Sequence, residues 1–153
     1  MSAADIPRYA FPPHVAPIVA LALILLFAIV FPVPFLPVGV SRGLGIPLFV
    51  IGLALWVWGV SGLFRRDESP HPGTPTSHLV TDGPYRFSRN PIYAGGIMGL
   101  IGLAIALDTA TGLAVAVILA LGVRQIVNAE EKYLETKFGD EWREYRARVR
   151  RWV

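Results

Sequence analysis

The chain contains no cysteine, and charged residues make up only 16% of its 153 residues. The lack of cysteine excludes disulfides, thiolate metal ligands and a thiol nucleophile. The low charge content, against about 25% in an average soluble domain, excludes an ordinary soluble enzyme and a disordered chain. No charged residue lies between Arg42 and Arg65, or between Arg89 and Asp108. The composition therefore indicates a small integral membrane protein.

Hydrophobic residues make up 54% of the chain and concentrate in four stretches, at about residues 15–36, 43–64, 91–107 and 111–128. The first two have the roughly 20 apolar residues that a membrane-spanning helix needs. The polar turn 108–112 joins the two shorter stretches into a hairpin. We predict an all-α, polytopic membrane protein with about four transmembrane helices, forming one domain over residues 1–153.

Basic residues are distributed unevenly around these stretches. With four spans, 13 of the 14 Lys and Arg residues lie on one side of the membrane, and only Arg42 lies on the other. The positive-inside rule then predicts that both termini, the loop 65–90 and the tail 129–153 are cytoplasmic, in an inner or plasma membrane. Apolar residues recur every three or four positions in the tail, which predicts a cytoplasmic amphipathic helix bent at Gly139: Leu134, Phe138, Trp142, Tyr145, Val149 and Trp152.

Two polar clusters, the loop 77–93 and the segment 124–131, are predicted at the cytoplasmic end of the hairpin. Asn90 and Pro91 have the residue types of an N-cap and a first helical turn. Glu130 and Glu131 are adjacent carboxylates close to the hydrocarbon, where ionisable groups are costly and indicate function. A ligand with an ammonium, a sulfonium and an adenine would suit carboxylates, tyrosine faces and exposed backbone. The alternative is a collar of polar side chains at the level of the lipid headgroups.

The segment LVTDGPYRFSRNPIYAG at residues 79–95, followed by Glu130, Glu131 and the tail, resembles the isoprenylcysteine carboxyl methyltransferase family. The wider superfamily includes membrane phospholipid methyltransferases. The resemblance covers residues 77–152, about half of the chain. It implies an S-adenosylmethionine-dependent methyltransferase whose cofactor lies between the hairpin and the tail. The cofactor-binding residues that it implies are Ser77, His78, Leu79, Val80, Tyr85, Asn90, Pro91, Ile92, Tyr93 and Glu130.

Two positions depart from the pattern of the eukaryotic enzymes. Asn90 stands where those enzymes have a histidine, and Ile126 stands where they have a substrate-contacting arginine. Arg124, half a turn away, is therefore a candidate substrate-binding residue. Glu131 and Arg89 are candidate catalytic residues, and Glu131 is the nearest proton acceptor for an amine substrate.

The leading hypothesis is a methyltransferase acting on a membrane lipid or lipid-like, prenylated acceptor that enters from the bilayer. An NADPH-dependent membrane reductase of related fold and a non-catalytic membrane scaffold are the alternatives. The net charge of +3 is attributed to topology and anionic lipid rather than to nucleic acid. The histidines at 14, 71 and 78 have no metal-ligand spacing, which predicts no metal site. The acceptor, the methylated atom and the oligomeric state stay open.

Overall fold

The computed structural model describes residues 15–71 and 74–152. Within these residues all regular structure is helical, and no strand occurs. The helices are α1 (Val15–Val30), α2 (Val38–Phe64), α3 (Pro91–Ala106) and α4 (Ala110–Arg148), with a short 3-10 helix (Gly83–Arg86) before α3. The all-α prediction is confirmed for this part of the chain. Arg8 and the rest of the N-terminal segment, on which the topology prediction partly depends, lie outside it.

Two of the helices, α2 and α4, are long and apolar enough to cross a membrane by length and composition. The helices α1 and α3 are apolar but shorter, with 16 residues each. Large apolar side chains point outward on several helices; Ile29 is 81% exposed and Ile118 is 68% exposed. Such extended apolar surface suits lipid better than water. The structure thus agrees with a membrane protein, while the number of four spans stays a prediction.

The closest packing lies between α2 and α3, where glycines of the two helices meet. A Cβ atom on Gly52 would overlap the backbone of Gly99, and one on Gly102 would overlap the backbone of Phe49. Small residues allow two membrane helices to approach this closely, so that dispersion forces can hold them together. The helix pair therefore depends on backbone contact along two stripes: Gly45, Gly52 and Gly59 on α2, and Gly95, Gly99 and Gly102 on α3.

The predicted hairpin is present, and its turn also fixes the proline-rich connection between α1 and α2. Asp108 adopts a positive φ of 50°, and its Oδ1 accepts hydrogen bonds from the N–H groups of Phe35 and Leu36 at 2.9 and 3.0 Å. Thr109 caps α4 by accepting the N–H of Gly112 at 3.2 Å. One end of the helix bundle is therefore closed by specific polar contacts.

The fourth apolar stretch and the predicted surface helix form one continuous element up to Gly139. At Gly139 the backbone leaves the helical region, with φ 53° and ψ −116°, which glycine adopts without the cost of a side chain. The bend turns the last residues of α4 back onto the protein. Trp142 and Tyr145, two of the apolar positions of the predicted amphipathic helix, are only 1% and 3% exposed because they pack against the loop before α3.

Candidate functional site

A cavity of about 1080 Å³ lies between the four helices and the loop that connects α2 to α3. One end is lined by polar side chains of that loop and of α3 and α4, among them Glu68, Tyr93 and Glu130. The other end is lined by apolar side chains of the helices, including Leu21, Leu25, Phe49, Leu53 and Leu100. Because the two ends form one space, the cavity can hold a polar group and an apolar chain together.

Most residues of the predicted cofactor site lie around this cavity. Ser77 does not line it, whereas the other nine do: His78, Leu79, Val80, Tyr85, Asn90, Pro91, Ile92, Tyr93 and Glu130. The two candidate catalytic residues, Arg89 and Glu131, line it as well. Arg124 is exposed and lies away from the cavity, while Ile126 lines it. The structure therefore brings the loop and the two glutamates together and leaves Arg124 outside.

Two buried tyrosines hold the loop in place, one in the 3-10 helix and one near the end of α4. The hydroxyl of Tyr85 donates to the carbonyl of Gly59 on α2 at 3.4 Å, and the hydroxyl of Tyr145 donates to the carbonyl of Tyr85 at 2.8 Å. Burial is the main cause that raises the pKa of both phenols well above the usual value, and for Tyr145 the nearby Arg89 guanidinium opposes the rise. Both tyrosines therefore stay neutral at physiological pH and act as hydrogen-bond donors that fix the loop between α2 and the tail.

Glu68 lies just beyond the end of α2 and was not among the residues predicted from sequence. It is 4% exposed, and its Oε1 accepts the N–H groups of Ser77 at 2.8 Å and His78 at 2.6 Å. The preceding N–H, that of Thr76, donates to the hydroxyl of Tyr133 on α4 at 3.2 Å. Three consecutive amides are thus held by side chains. The sequence signal that could have identified Glu68 is its position, a carboxylate directly after a predicted span. Its spacing in the sequence does not show which backbone amides it binds.

Glu131 forms a buried ion-pair cluster with two arginines. Its Oε1 lies 3.0 Å from Nη2 of Arg89 and 3.1 Å from Nε of the same guanidinium. Its Oε2 lies 2.6 Å from Nη2 of Arg151. The side chains of Arg89 and Glu131 are only 8% and 7% exposed. Because both carboxylate oxygens are engaged by guanidinium groups, Glu131 is poorly suited to accept a proton.

Arg89 also binds residues 146–151, which we call the C-terminal strap, and so attaches them to the loop. The Nη1 of Arg89 donates to the carbonyls of Arg146 and Val149 at 3.0 and 3.1 Å, and its backbone N–H donates to the carbonyl of Arg150 at 2.9 Å. The side-chain amide of Asn90 donates to the carbonyl of Arg151 at 3.2 Å. Arg89 and Asn90 therefore bind the C-terminal strap, and both residues also line the cavity.

Glu130 has a different environment from its neighbour, since adjacent residues of a helix point about 100° apart. The hydroxyl of Tyr93 donates to Oε1 of Glu130 at 2.7 Å, and both residues are half-buried in the cavity wall. The hydrogen bond orients the carboxylate of Glu130 in the cavity wall. Of the adjacent glutamates, Glu131 thus belongs to the ion-pair cluster and Glu130 to the wall of the cavity.

Trp142 contributes an unusual donor to the same wall. Its indole Nε1 is the one sealed side-chain nitrogen or oxygen in residues 15–71 and 74–152 that has no hydrogen-bond partner. The ring is 1% exposed, stacks edge-on with Tyr145 at 5.7 Å, and lies 5.7 Å below the guanidinium of Arg89. A buried donor without a hydrogen-bond partner is energetically costly. No group of three potential metal-ligating side chains occurs in the described part of the chain.

The chain belongs to the phospholipid methyltransferase family. The sequence model of that family matches residues 40–141, well over half of the chain, from the start of α2 to the bend in α4. The matched region includes the glycine stripes, the loop and both glutamates. The family resemblance predicted from residues 77–152 is therefore confirmed.

Three curated proteins illustrate the similarity. The chain is 35% identical over 72 residues to the protein-S-isoprenylcysteine O-methyltransferase of Schizosaccharomyces pombe, covering 46% of this chain and 30% of that protein. It is 32% identical over 81 residues to the cobalt-zinc-cadmium resistance protein CzcN of Cupriavidus metallidurans, covering 50% and 36%. An uncharacterized protein of Haemophilus influenzae is 56% identical over 36 residues, covering 24% and 56%. The matches thus span about a third of the first two relatives. No solved structure matches the chain.

Proposed function

We propose that this protein is a membrane methyltransferase that uses S-adenosylmethionine and methylates a lipid-like or prenylated acceptor. The main observation is the single cavity of about 1080 Å³ that joins the polar loop to the apolar walls of the helices. This volume slightly exceeds the roughly 300–1,000 Å³ typical of a pocket for one ligand. The cavity therefore has room for a methyl donor at its polar end and an apolar acceptor beside it.

The residues around the polar end fit the chemical groups of S-adenosylmethionine. Glu130, oriented by Tyr93, can neutralise the ammonium group, and the aromatic faces of Tyr85 and Tyr93 suit a sulfonium. When bound, the cofactor supplies an electrophilic methyl group. The residues of this chain hold the two reactants in line and exclude water from them.

The ion-pair cluster changes the roles that we assign to the two candidate catalytic residues. Both oxygens of Glu131 are bound by Arg89 and Arg151, so we assign Glu131 to positioning rather than to proton transfer. Arg89 orients the C-terminal strap through three carbonyls. A carboxylate acceptor fits this arrangement because its methylation requires no base. The name of the Schizosaccharomyces pombe relative supports such an acceptor.

The acceptor would reach the site from the lipid. The apolar end of the cavity is lined by α1, α2 and α3, whose outer surfaces are largely exposed and apolar. The distribution of Lys and Arg supports a cytoplasmic position for the polar end, with four spans and both termini on that side. A water-soluble cofactor would then approach from the cytoplasm and the acceptor from the bilayer.

The proposal is tested by calorimetry of the detergent-purified protein with S-adenosylhomocysteine and, separately, with NADPH. We expect the wild type to bind S-adenosylhomocysteine and not NADPH. Glu130→Gln should weaken that binding ten- to a hundredfold, because a charge-assisted hydrogen bond contributes roughly 1.5–3 kcal/mol. The matched control is Glu135→Gln on the same helix, whose carboxylate pairs with Arg143 and Arg146 at the surface. No binding by the wild type would overturn the proposal, and equal affinity of the two variants would remove Glu130 from the site.

A further inference from the structure

Glu68 is the buried carboxylate that the proposed cofactor site does not use. It lines the cavity and is 4% exposed. Its Oε1 holds the N–H groups of Ser77 and His78, whereas its Oε2 accepts no hydrogen bond from any residue that the structure describes. A carboxylate in this position has unused acceptor capacity, because each oxygen can accept two hydrogen bonds.

The unused oxygen faces accessible space. Trp142 Nε1 is the one fully sealed atom without a partner among the described side chains. The Oε2 of Glu68 therefore retains some accessible surface, although the residue as a whole is buried. The space next to Glu68 is the polar end of the cavity, which extends along the loop past Ser69, Thr74 and Thr76. A ligand in this part of the cavity would therefore lie next to the side chain of Glu68.

The surroundings of Glu68 favour a neutral hydrogen-bond donor over a cation. Two backbone amides already donate to Oε1, so one side of the carboxylate is occupied by neutral donors. Among neutral donors, vicinal hydroxyl groups suit a carboxylate well, since acidic side chains commonly accept from the ribose hydroxyls of nucleotides. Glu130, on α4, has the aromatic neighbour Tyr93 and suits the charged end of a ligand better.

We propose that Glu68 binds the ribose hydroxyls of the methyl donor through Oε2, while Oε1 keeps the loop in its binding conformation. This inference rests on the proposed function, because it assumes a nucleoside in the cavity. It assigns one residue to two tasks, namely shaping the segment 76–78 and recognising the sugar. The ribose would then lie at the loop end of the cavity, and the methyl group would point toward the apolar end.

The experiment measures the affinities of S-adenosylhomocysteine, its 2′-deoxy analogue and S-inosylhomocysteine for the wild type and for Glu68→Gln. Glutamine keeps an oxygen for the two amides but replaces the second acceptor with a donor. We expect Glu68→Gln to bind S-adenosylhomocysteine about ten- to thirtyfold more weakly and the 2′-deoxy analogue less than threefold more weakly. A purely structural role would weaken all three ligands by the same factor.

Each alternative outcome contradicts a different statement. If the wild type binds none of the three ligands, the proposed function fails and the assignment of Glu68 fails with it. If the wild type binds S-adenosylhomocysteine but Glu68→Gln weakens all three ligands equally, or none, only the assignment of Glu68 is wrong. If S-inosylhomocysteine alone escapes the loss, Glu68 contacts the purine amino group instead, which overturns the ribose assignment. Glu135→Gln serves as the control and should bind all three ligands like the wild type.

Discussion

The α2–α3 interface and the ion-pair cluster at the C-terminal strap both join segments that are far apart in sequence, and they do so in opposite ways. Between α2 and α3, glycines let the two backbones approach so closely that an added Cβ atom would overlap backbone atoms of the other helix. At the strap, Arg89, Glu131 and Arg151 join the loop, α4 and the chain end through charged side chains. The first contact lies among apolar helices and the second at the polar end of the cavity.

This difference follows from what each environment offers. Among apolar side chains and lipid, the burial of further hydrocarbon contributes little free energy to helix association. Close approach and dispersion forces must therefore stabilise a helix pair. Near water, ionised groups can be retained if each is paired and hydrogen-bonded. The two regions should therefore fail for opposite reasons: the helix interface when an atom is added, and the cluster when a charge is removed.

The largest expected effect is that of Gly52→Ala, which adds one methyl group to the helix interface. The new Cβ would overlap backbone atoms of α3, and its distance from the Cα of Gly99 would be 2.7 Å. Since backbone cannot move aside as a side chain can, we expect a loss of about 3 kcal/mol or more in the free energy of unfolding. Thermal unfolding of the detergent-solubilised protein measures this change.

Gly43→Ala is the matched control, because the same substitution on the same helix meets no atom within 4 Å. Here alanine should stabilise the helix by about 0.5–1 kcal/mol. Equal effects of the two substitutions would show that helix propensity, and not contact with α3, determines the role of Gly52.

The next effect is that of Glu131→Gln, which removes the charge between two guanidinium groups. Breaking a buried ion pair typically costs about 3–5 kcal/mol. We expect about 2 kcal/mol here, because Gln still accepts one hydrogen bond and the Arg151 side chain is 36% exposed. Limited proteolysis after Arg146, Arg148 or Arg150 should also become faster, since the strap loses an anchor.

The double variant Glu131→Gln with Arg151→Met sharpens this test. If the cluster acts as proposed, removal of Arg151 should recover part of the stability, because one unpaired charge is gone. A double variant that loses the full sum of the two single losses would contradict coupling between the residues.

The smallest expected effect concerns the ion pair of Arg66 and Asp82, which is the solvent-exposed counterpart of the buried ion-pair cluster. The hydrogen bond from Arg66 is the main cause that lowers the pKa of Asp82. The pair should therefore stabilise the fold at neutral pH and lose this contribution only as the pH falls below the ordinary carboxyl pKa of about 4 and through the lowered pKa of Asp82. Because both side chains are more than half exposed, Asp82→Asn should cost at most about 0.5 kcal/mol at pH 7.

The check is the unfolding free energy of wild type and Asp82→Asn between pH 7 and pH 3. The two curves should converge at the acidic end. A difference that grows as the pH falls would contradict the lowered pKa, and a loss near that of Glu131→Gln would contradict the comparison between buried and exposed pairs.

Much of the helical architecture was predictable because it depends on local composition. The apolar stretches, Pro91 at the start of α3 and the turn at Asp108 are each signals within a short segment. Helices occupy the predicted stretches, but α1 already ends at Val30 and α2 already begins at Val38. The bend at Gly139 was also predictable, since glycine ends helices readily. That α4 continues past residue 128 into the predicted surface helix was not predictable, because no glycine or proline marks the boundary between the two predicted segments.

The candidate site was only partly predictable for a related reason. The loop motif and the adjacent glutamates are contiguous in sequence and therefore visible in it. Glu68 and Arg151 enter the site from positions outside the loop motif, and neither was among the predicted site residues. Equally, nothing in the sequence distinguishes the roles of Glu130 and Glu131, because that difference depends on which arginines lie opposite each carboxylate.

The sequence by itself determined that this chain is apolar, helical, and a member of a membrane methyltransferase family, because composition, periodicity and a contiguous motif are local properties. The tertiary structure alone decided that glycines of α2 meet those of α3, that Glu131 is enclosed by Arg89 and Arg151, and that Glu68 faces the cavity. These contacts join residues that are tens of positions apart. Their partners are set by how the helices pack and where the chain turns back, which no short stretch of sequence specifies.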